Sequence, residues 1–337
     1  MKNIAYLILT AILALNLAHG QILPNFGGER AGLSALSFLK NDMSTRSLAM
    51  GGASVALSGD GYSSQNNPAA LVDLENTTYT LSHLFLGGGV NQSFVAANYP
   101  LDDKVSTLSF SLNSLNSGEM EERTEFMPMG TGRQVFVTNL AVGATYSRQL
   151  SSLFSAGVTV KYVYEGIANY HNSTATVDVA FLYNTDYKDL KFAVMVQNFG
   201  GNSALNSNDD IPVTFNRNTG VELDANTVPT VFKLGMSITP YKTDMHSLTT
   251  SLQLNHPNDN AENYRLGVEY NLKDLFFARA GYRISVRHQH IPTFGFGVKA
   301  RLGGLPFTID YAANPTNFLG MQHGLGLQIE LLSNNSR

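Results

Sequence analysis

The chain has 337 residues, of which only 14% are charged, with a formal net charge of −4 and neither cysteine nor tryptophan. A near-neutral balance without a basic run excludes a nucleic-acid partner, and the lack of cysteine excludes disulfides, thiolate metal sites and a thiol-linked lipid anchor. Charge this far below the roughly 25% of soluble domains, beside plentiful Gly, Tyr, Phe, Ser, Thr and Asn, favours one large β-barrel over two soluble domains.

Residues 1–20 read as a secretory signal peptide. Lys2 supplies the positive start, Ile4 to Leu17 the apolar stretch, and Ala18-His19-Gly20 a small-residue exit. The apolar run is shorter than the roughly 20 residues of a spanning helix, and nothing after it is long and apolar enough to be one. If the protein sits in a membrane, it crosses as strands.

Residues 21–76 are not strand-like. Leu33, Leu36 and Leu39 fit one face of a short helix, and Gly51-Gly52, Gly59-Asp60-Gly61 and Asn66-Asn67-Pro68 interrupt the chain repeatedly. This predicts a compact N-terminal hatch or plug. Within it, Pro68 fixes its own backbone and pushes Asn67 toward an extended conformation, while the Asn67 amide is placed to tie neighbouring main-chain groups near Ala69. The turn Asn67-Pro68-Ala69 is either a fixed structural corner or a moving gate.

From residue 77 to 337 apolar and polar residues alternate. Near the end Leu325, Leu327, Ile329 and Leu331 interleave with Gly324, Gly326, Gln328 and Glu330. Period-two alternation puts the two sets on opposite faces of a strand. Strands are predicted to begin near Thr78, Gln92, Lys104, Val135, Phe154, Thr174, Leu190, Thr230, His246, Asn263, Phe276, Thr293, Pro306 and Gln322. About fourteen segments of 9–12 residues suit a closed antiparallel outer-membrane barrel, whose strands need roughly that length to cross a bilayer. A soluble β-sandwich also alternates, but its strands are shorter. Short turns such as Asn271-Leu272-Lys273-Asp274 and Gly303-Gly304, against long loops at Gly118 to Gln134 and Gly200 to Val228, match the usual barrel asymmetry with long loops outside the cell. Tyr and Phe must make any interfacial girdle.

With the apolar residues facing lipid, Lys161, Glu165, Asp178, Lys191, Lys233, Arg265, Glu269, Arg279, Arg283, Lys299, Arg301, Asp310 and Glu330 face the lumen. They read as a polar conduit or as ion pairs bracing a plug, because buried charges need partners. Other motifs carry little chemistry. Gly130-Thr131-Gly132 lacks the phosphate-loop pattern, His288 and His290 lack a third metal ligand, and the acidic pairs Glu121-Glu122 and Asp209-Asp210 fall in loops. No nucleophile, base and acid gather in a recognisable motif, so no enzyme activity, metal or cofactor is expected.

Several stretches carry a resemblance. RAGLSALSFLK (Arg30 to Lys40), RSLAMGGASVAL (Arg46 to Leu57), NPAAL (Asn67 to Leu71), Gly130-Thr131-Gly132, FSAGVTVKYVYE (Phe154 to Glu165), the run from Asp178 to Gly200 ending in QNFG, and His256 to Arg283 together resemble the PorV/PorQ family of Bacteroidota outer-membrane proteins. The likeness covers almost the whole chain after the signal. It departs at the Asn-rich stretch Gly201 to Asp210, and the last residues lack the terminal aromatic common in barrel assembly signals. The resemblance implies a fourteen-stranded barrel similar to the long-chain fatty-acid transporter (FadL-like) fold, all-β, with the N-terminal segment in the lumen. It further implies a non-enzymatic accessory of type IX protein secretion or cell-surface attachment, set in outer-membrane lipid. Its partners would be type IX translocon components or exported proteins with C-terminal signal domains. The alternative is an outer-membrane transporter whose ligand is a hydrophobic small molecule.

Overall fold

The structure, a computed structural model, describes residues 34–207, 225–286 and 291–331. The predicted signal peptide, Leu33, Asp209-Asp210, His288, His290 and the C-terminal residues from 332 lie outside the described residues.

Fourteen strands form one closed antiparallel barrel: β1 (Thr77–Gly87), β2 (Val90–Pro100), β3 (Ser106–Asn116), β4 (Val137–Gln149), β5 (Phe154–Ile167), β6 (Tyr170–Asn184), β7 (Lys191–Gly200), β8 (Val231–Lys242), β9 (His246–Pro257), β10 (Asn263–Leu272), β11 (Phe276–Ile284), β12 (Thr293–Leu302), β13 (Leu305–Thr316) and β14 (Gly320–Leu331). Each begins within a few residues of its predicted start, and the expected all-β antiparallel barrel of fourteen strands is the fold observed. Sequential strands pair all the way round, and β14 closes on β1 with Thr77 opposite Leu331. Closure leaves no edge whose backbone groups would sit unpaired in hydrocarbon.

The side chains are arranged inside out relative to a soluble protein. On β1 the outward Tyr79, Leu81 and Phe85 are exposed, while the inward Thr78, Thr80 and Ser82 are buried. The other strands repeat the pattern, with Phe110, Leu112, Val158, Val160 and Phe296 outside, and Gln92, Asn98, Ser109, Thr145 and Ser147 inside. An apolar outer face around a polar, hydrogen-bonded interior is what lipid outside and a hydrated or plugged lumen inside demand. A sandwich, with apolar faces turned inward, is thereby ruled out. Exposed aromatics ring the barrel near its short-turn end, among them Tyr79, Tyr146, Tyr183, Phe192, Tyr241, Tyr270 and Phe276. They form the girdle expected of a chain without tryptophan.

The connections sort by end. At one end lie the short turns 101–105, 150–153, 185–190, 243–245, 273–275 and Gly303-Gly304. The Gly303-Gly304 turn has φ +59° and +88°, the left-handed pair that a two-residue hairpin requires. Both long connections, 117–136 and 201–230, fall at the other end. The first carries a two-residue ladder of its own, Met120–Glu121 against Gln134–Val135.

Residues 34–76 run inside the barrel as single turns: 3₁₀ turns at Ser37–Lys40 and Pro68–Asp73, and helical turns at Thr45–Ala49 and Ser63–Asn66. The helix expected to carry Leu36 and Leu39 does not form. Leu36 instead adopts a left-handed φ of 56° ahead of the Ser37–Lys40 turn, and both leucines are buried without a helical face. One turn cannot nucleate on its own, so wall contacts dictate its shape.

Candidate functional site

The site is the lumen, where the N-terminal segment meets the inward faces of the strands. The Ser44 hydroxyl caps the Thr45–Ala49 turn by accepting from Ser47 N at 3.2 Å. The turn ends at Gly51 and Gly52, whose φ values of +70° and +84° are open to glycine. Both also lie flat on the wall. A Cβ on Gly51 would meet Tyr282 N at 2.9 Å, and one on Gly52 would strike the Arg265 guanidinium. Asn67 is extended at φ −163° and wholly buried. Its Nδ2 donates to Val55 O at 2.6 Å, while Oδ1 accepts from Ala69 N at 2.9 Å and caps the turn that Pro68 opens. Asn67→Ala removes both bonds and leaves Val55 O buried, so folded stability is expected to fall by about 1–3 kcal/mol, read from denaturant unfolding in detergent.

Two of the lumenal cavities lie to either side of the segment. The one toward the short-turn end, about 330 Å³, is lined by Arg46, Asp60, Glu269, Arg279, Lys299, Asp310 and Glu330 among others. Glu269 accepts from Arg46 Nε at 2.9 Å and Nη2 at 2.6 Å, and from Arg279 Nε at 2.6 Å. Arg279 also pairs with Asp310, and Lys299 with Glu330 at 3.5 Å. Lys191 reaches Asp73 at 3.1 Å and the Ser58 hydroxyl, tying β7 to the N-terminal segment. Burial pushes the Asp60 carboxyl above the usual carboxylate range, against the attraction of Arg46 and a hydrogen bond from Tyr62 N.

The other cavity, about 210 Å³, lies toward the long loops and is lined by Lys40, Asp42, Lys233, Asp259, Arg265 and Arg283 among others. Arg283 donates Nε to Gly51 O at 2.8 Å. Asp259, on the turn after β9, pairs with Lys40 at 2.6 Å and accepts from the Ser34 hydroxyl. Burial raises the Asp259 carboxyl, but these bonds outweigh it and hold it below the usual range.

Beside this cavity, which Gln197 of β7 also lines, the β6–β7 ladder slips between Val177 and Val179. The bulge turns Asn198 to φ +57°. Asn198 N then donates to Asp178 Oδ1 at 2.7 Å, and Lys161 reaches Asp178 at 2.7 Å and Asn198 Oδ1 at 2.6 Å. Beyond the slip, Asn206–Ser207 pairs with the Tyr170–His171 end of β6. Inside this part of the wall sits an apolar cluster of Leu36, Phe38 and Leu39 from the N-terminal segment against Ala141, Val163 and Val228. Glu165 is buried nearby opposite Asn172.

The structure thus places Lys161 with Asp178, Glu269 with Arg279 and Asp310, and Lys299 with Glu330. Lys233 and Arg265 face the outer cavity apart from these pairs. Arg301 departs from the expectation. It shares the inward parity of β12 but lies exposed near the strand's short-turn end, and among the described residues it joins no ion pair. Parity sets the face and not the depth. Arg46, Asp42, Asp60, Asp73 and Asp259 went unassigned in the sequence because their partners are tertiary. Gln253, whose Oε1 accepts from Ser54 N at 2.9 Å and Val55 N at 2.8 Å, is another such clamp. Among the described residues no group of three or more potential metal ligands gathers.

No family model matches the sequence, and no curated protein matches it. In structure the chain is similar to the Pseudomonas putida toluene transporter TodX, at 12% identity and a TM-score of 0.53, covering 85% of this chain and 96% of that one. The Ralstonia pickettii toluene transporter TbuX gives 12% identity and a TM-score of 0.54, with the same coverage. The CymD monoaromatic hydrocarbon channel gives 11% identity and a TM-score of 0.51, covering 90% of this chain and 97% of that one. At such identities the likeness establishes the fold alone, a closed fourteen-stranded antiparallel β-barrel.

Proposed function

We propose that this chain is an outer-membrane barrel that admits small hydrophobic molecules past a hatch formed by residues 34–76. The observation that carries this reading is one of three apolar clusters between the N-terminal segment and the wall, the one toward the long-loop end. Leu36, Phe38 and Leu39 fill a niche of Ala141, Val163 and Val228, beside the part of the wall where the β6–β7 ladder slips. A segment of single turns holds that niche through a few polar clamps, so its displacement opens an apolar surface to a solute of like polarity. Barrels of the same fold include the toluene transporters TodX and TbuX. The test is uptake of labelled toluene by cells that lack their own hydrocarbon transporter and express this chain. A several-fold gain over empty vector supports the reading, and no gain from a correctly assembled barrel ends it.

A second reading, an accessory of type IX secretion or surface attachment, is favoured by one specific feature. The 117–136 loop presents Phe126, Met127 and Met129 to solvent, with Phe126 92% and Met129 88% exposed. Apolar loop tips of this kind suit a protein partner. Affinity purification of the tagged protein from gently solubilised native membranes, followed by mass spectrometry, would enrich translocon components or exported proteins under this reading and the barrel alone under the first.

A further inference from the structure

The inward carboxylates of the barrel strands are met by cations, with one exception among the described residues. Asp178 has Lys161, Glu269 has Arg46 and Arg279, Asp310 has Arg279, and Glu330 has Lys299. Glu165 on β5, 9% exposed, has no such partner: neither a lysine nor an arginine acts on it, and the side chain that does is Asn172, through a hydrogen bond. Its cross-strand neighbours on the inner face are both asparagines, Asn139 on β4 and Asn172 on β6. They are buried, at 6% and 1% exposed, and the Oδ1 of each is without a hydrogen-bond partner among the described residues. Asn172 Nδ2 also donates to Ser203 Oγ at 3.0 Å. Three adjacent strands thus bring a carboxylate and two unpartnered amide oxygens onto one row, at positions where directly opposed side chains touch.

The apolar niche adjoins this row directly. Ala141 and Val163 face each other two residues along from Asn139 and Glu165, on the same faces of β4 and β5, and Leu36, Phe38 and Leu39 pack on them. Two residues of strand span about 6–7 Å. From this juxtaposition we propose that the niche selects a hydrophobic amine, its ammonium group held by Glu165 and the Asn139 and Asn172 oxygens, its aromatic or short alkyl body lying against Ala141 and Val163 in place of Phe38. The inference rests on the reading that the N-terminal segment yields this niche to a solute, and it names the class of solute. A buried carboxylate calls for a positive partner and a buried amide oxygen for a donor. An alkylammonium supplies both, with one charge and three N–H groups. A carboxylate head is rejected, because it brings like charge to Glu165 and more acceptors to a row that is short of donors. A hard metal ion would want about six to eight oxygen ligands and leave the apolar surface alongside unused.

The experiment is equilibrium dialysis of the full chain in detergent micelles, in sealed cells at neutral pH and fixed ionic strength, with binding to micelles alone subtracted. The probes are labelled phenethylammonium, phenylpropionate and toluene. Wild type is expected to bind phenethylammonium about tenfold or more tightly than phenylpropionate, the scale of a charge-assisted hydrogen bond. Glu165→Gln keeps the shape and removes the charge. It should weaken the amine by about tenfold or more while keeping the folded barrel's electrophoretic mobility, and Lys242→Met, near the short-turn end, should leave it unchanged. The wild-type preference is the readout should Glu165→Gln fail to assemble. Toluene bound without preference for the amine over the carboxylate, or an amine affinity that Glu165→Gln leaves intact, overturns the assignment and leaves the transport reading standing. Folded wild type that binds none of the three overturns both.

Discussion

Glu269→Ala is expected to cost about 3–5 kcal/mol of folded-state stability, the largest loss from any single side chain in the lumen. Glu269 is the one carboxylate that Arg46 of the N-terminal segment meets through two nitrogens, at 2.9 and 2.6 Å, and it also accepts from Arg279 at 2.6 Å. Removing it leaves Arg46, among the described residues, with the Ser58 carbonyl as hydrogen-bond acceptor, taking Nη1 at 3.2 Å. Arg279 keeps Asp310 and is the lesser casualty. The penalty therefore comes from a buried guanidinium that loses its paired carboxylate and keeps only the more distant charges of Asp60 and Asp310, and Glu269→Gln, which keeps the shape and loses the charge, should fall between wild type and Glu269→Ala. The chain has no tryptophan, so unfolding is followed by circular dichroism or by the heat-dependent shift of the barrel on unboiled gels. Lys242→Ala is the reference. Its pair with Asp189 is exposed, at 66% and 49%, and its loss should stay within about 1 kcal/mol. If Glu269→Ala unfolds within 1 kcal/mol of wild type, the bridge between segment and wall carries no weight.

Much of the barrel was legible because lipid outside and polar contacts inside impose period two on every strand. Val158 and Val160 against Thr159 and Lys161 report that directly, and the strand starts follow. The same parity named the inward charges on β5, β10, β11 and β13. It could not name their partners. Arg46 and Glu269 are 223 residues apart, and Lys40 and Asp259 219 apart, and neither stretch has a local signal of the pairing. The N-terminal segment was legible as interruptions, Gly51-Gly52 and Asn67-Pro68, but not as a shape. Its turns are set by what they press against. Leu36 shows the limit: its spacing to Leu39 reads as a helical face, yet the wall pulls it into a left-handed conformation that burial in the apolar cluster offsets.

Gly281→Val is expected to unseat the N-terminal segment while leaving the barrel assembled. Gly281 on β11 faces inward opposite Gly267 on β10, and together they make a flat seat in the wall. Met50 lies on it. A Cβ at 267 would meet Met50 Cβ and O, both at 2.8 Å, and one at 281 would run into the backbone of Met50 and Gly51. Neither glycine has a positive φ, so the strand accepts a side chain there and the conflict is with the segment alone. Backbone cannot rotate aside as a long side chain would. Overpacking of about 1–3 kcal/mol or more is thus directed at the contact between segment and strand, and the β10–β11 ladder persists. Limited proteolysis of the folded protein should cut within residues 34–76 in the variant and spare them in wild type. On the proposed function, toluene uptake should rise in parallel. Gly281→Ala, with one added carbon, is the milder test should the valine variant fail to assemble. Full protease protection in an assembled Gly281→Val barrel would mean that the segment has room to shift on its seat, and that glycine at 281 is not what fixes it.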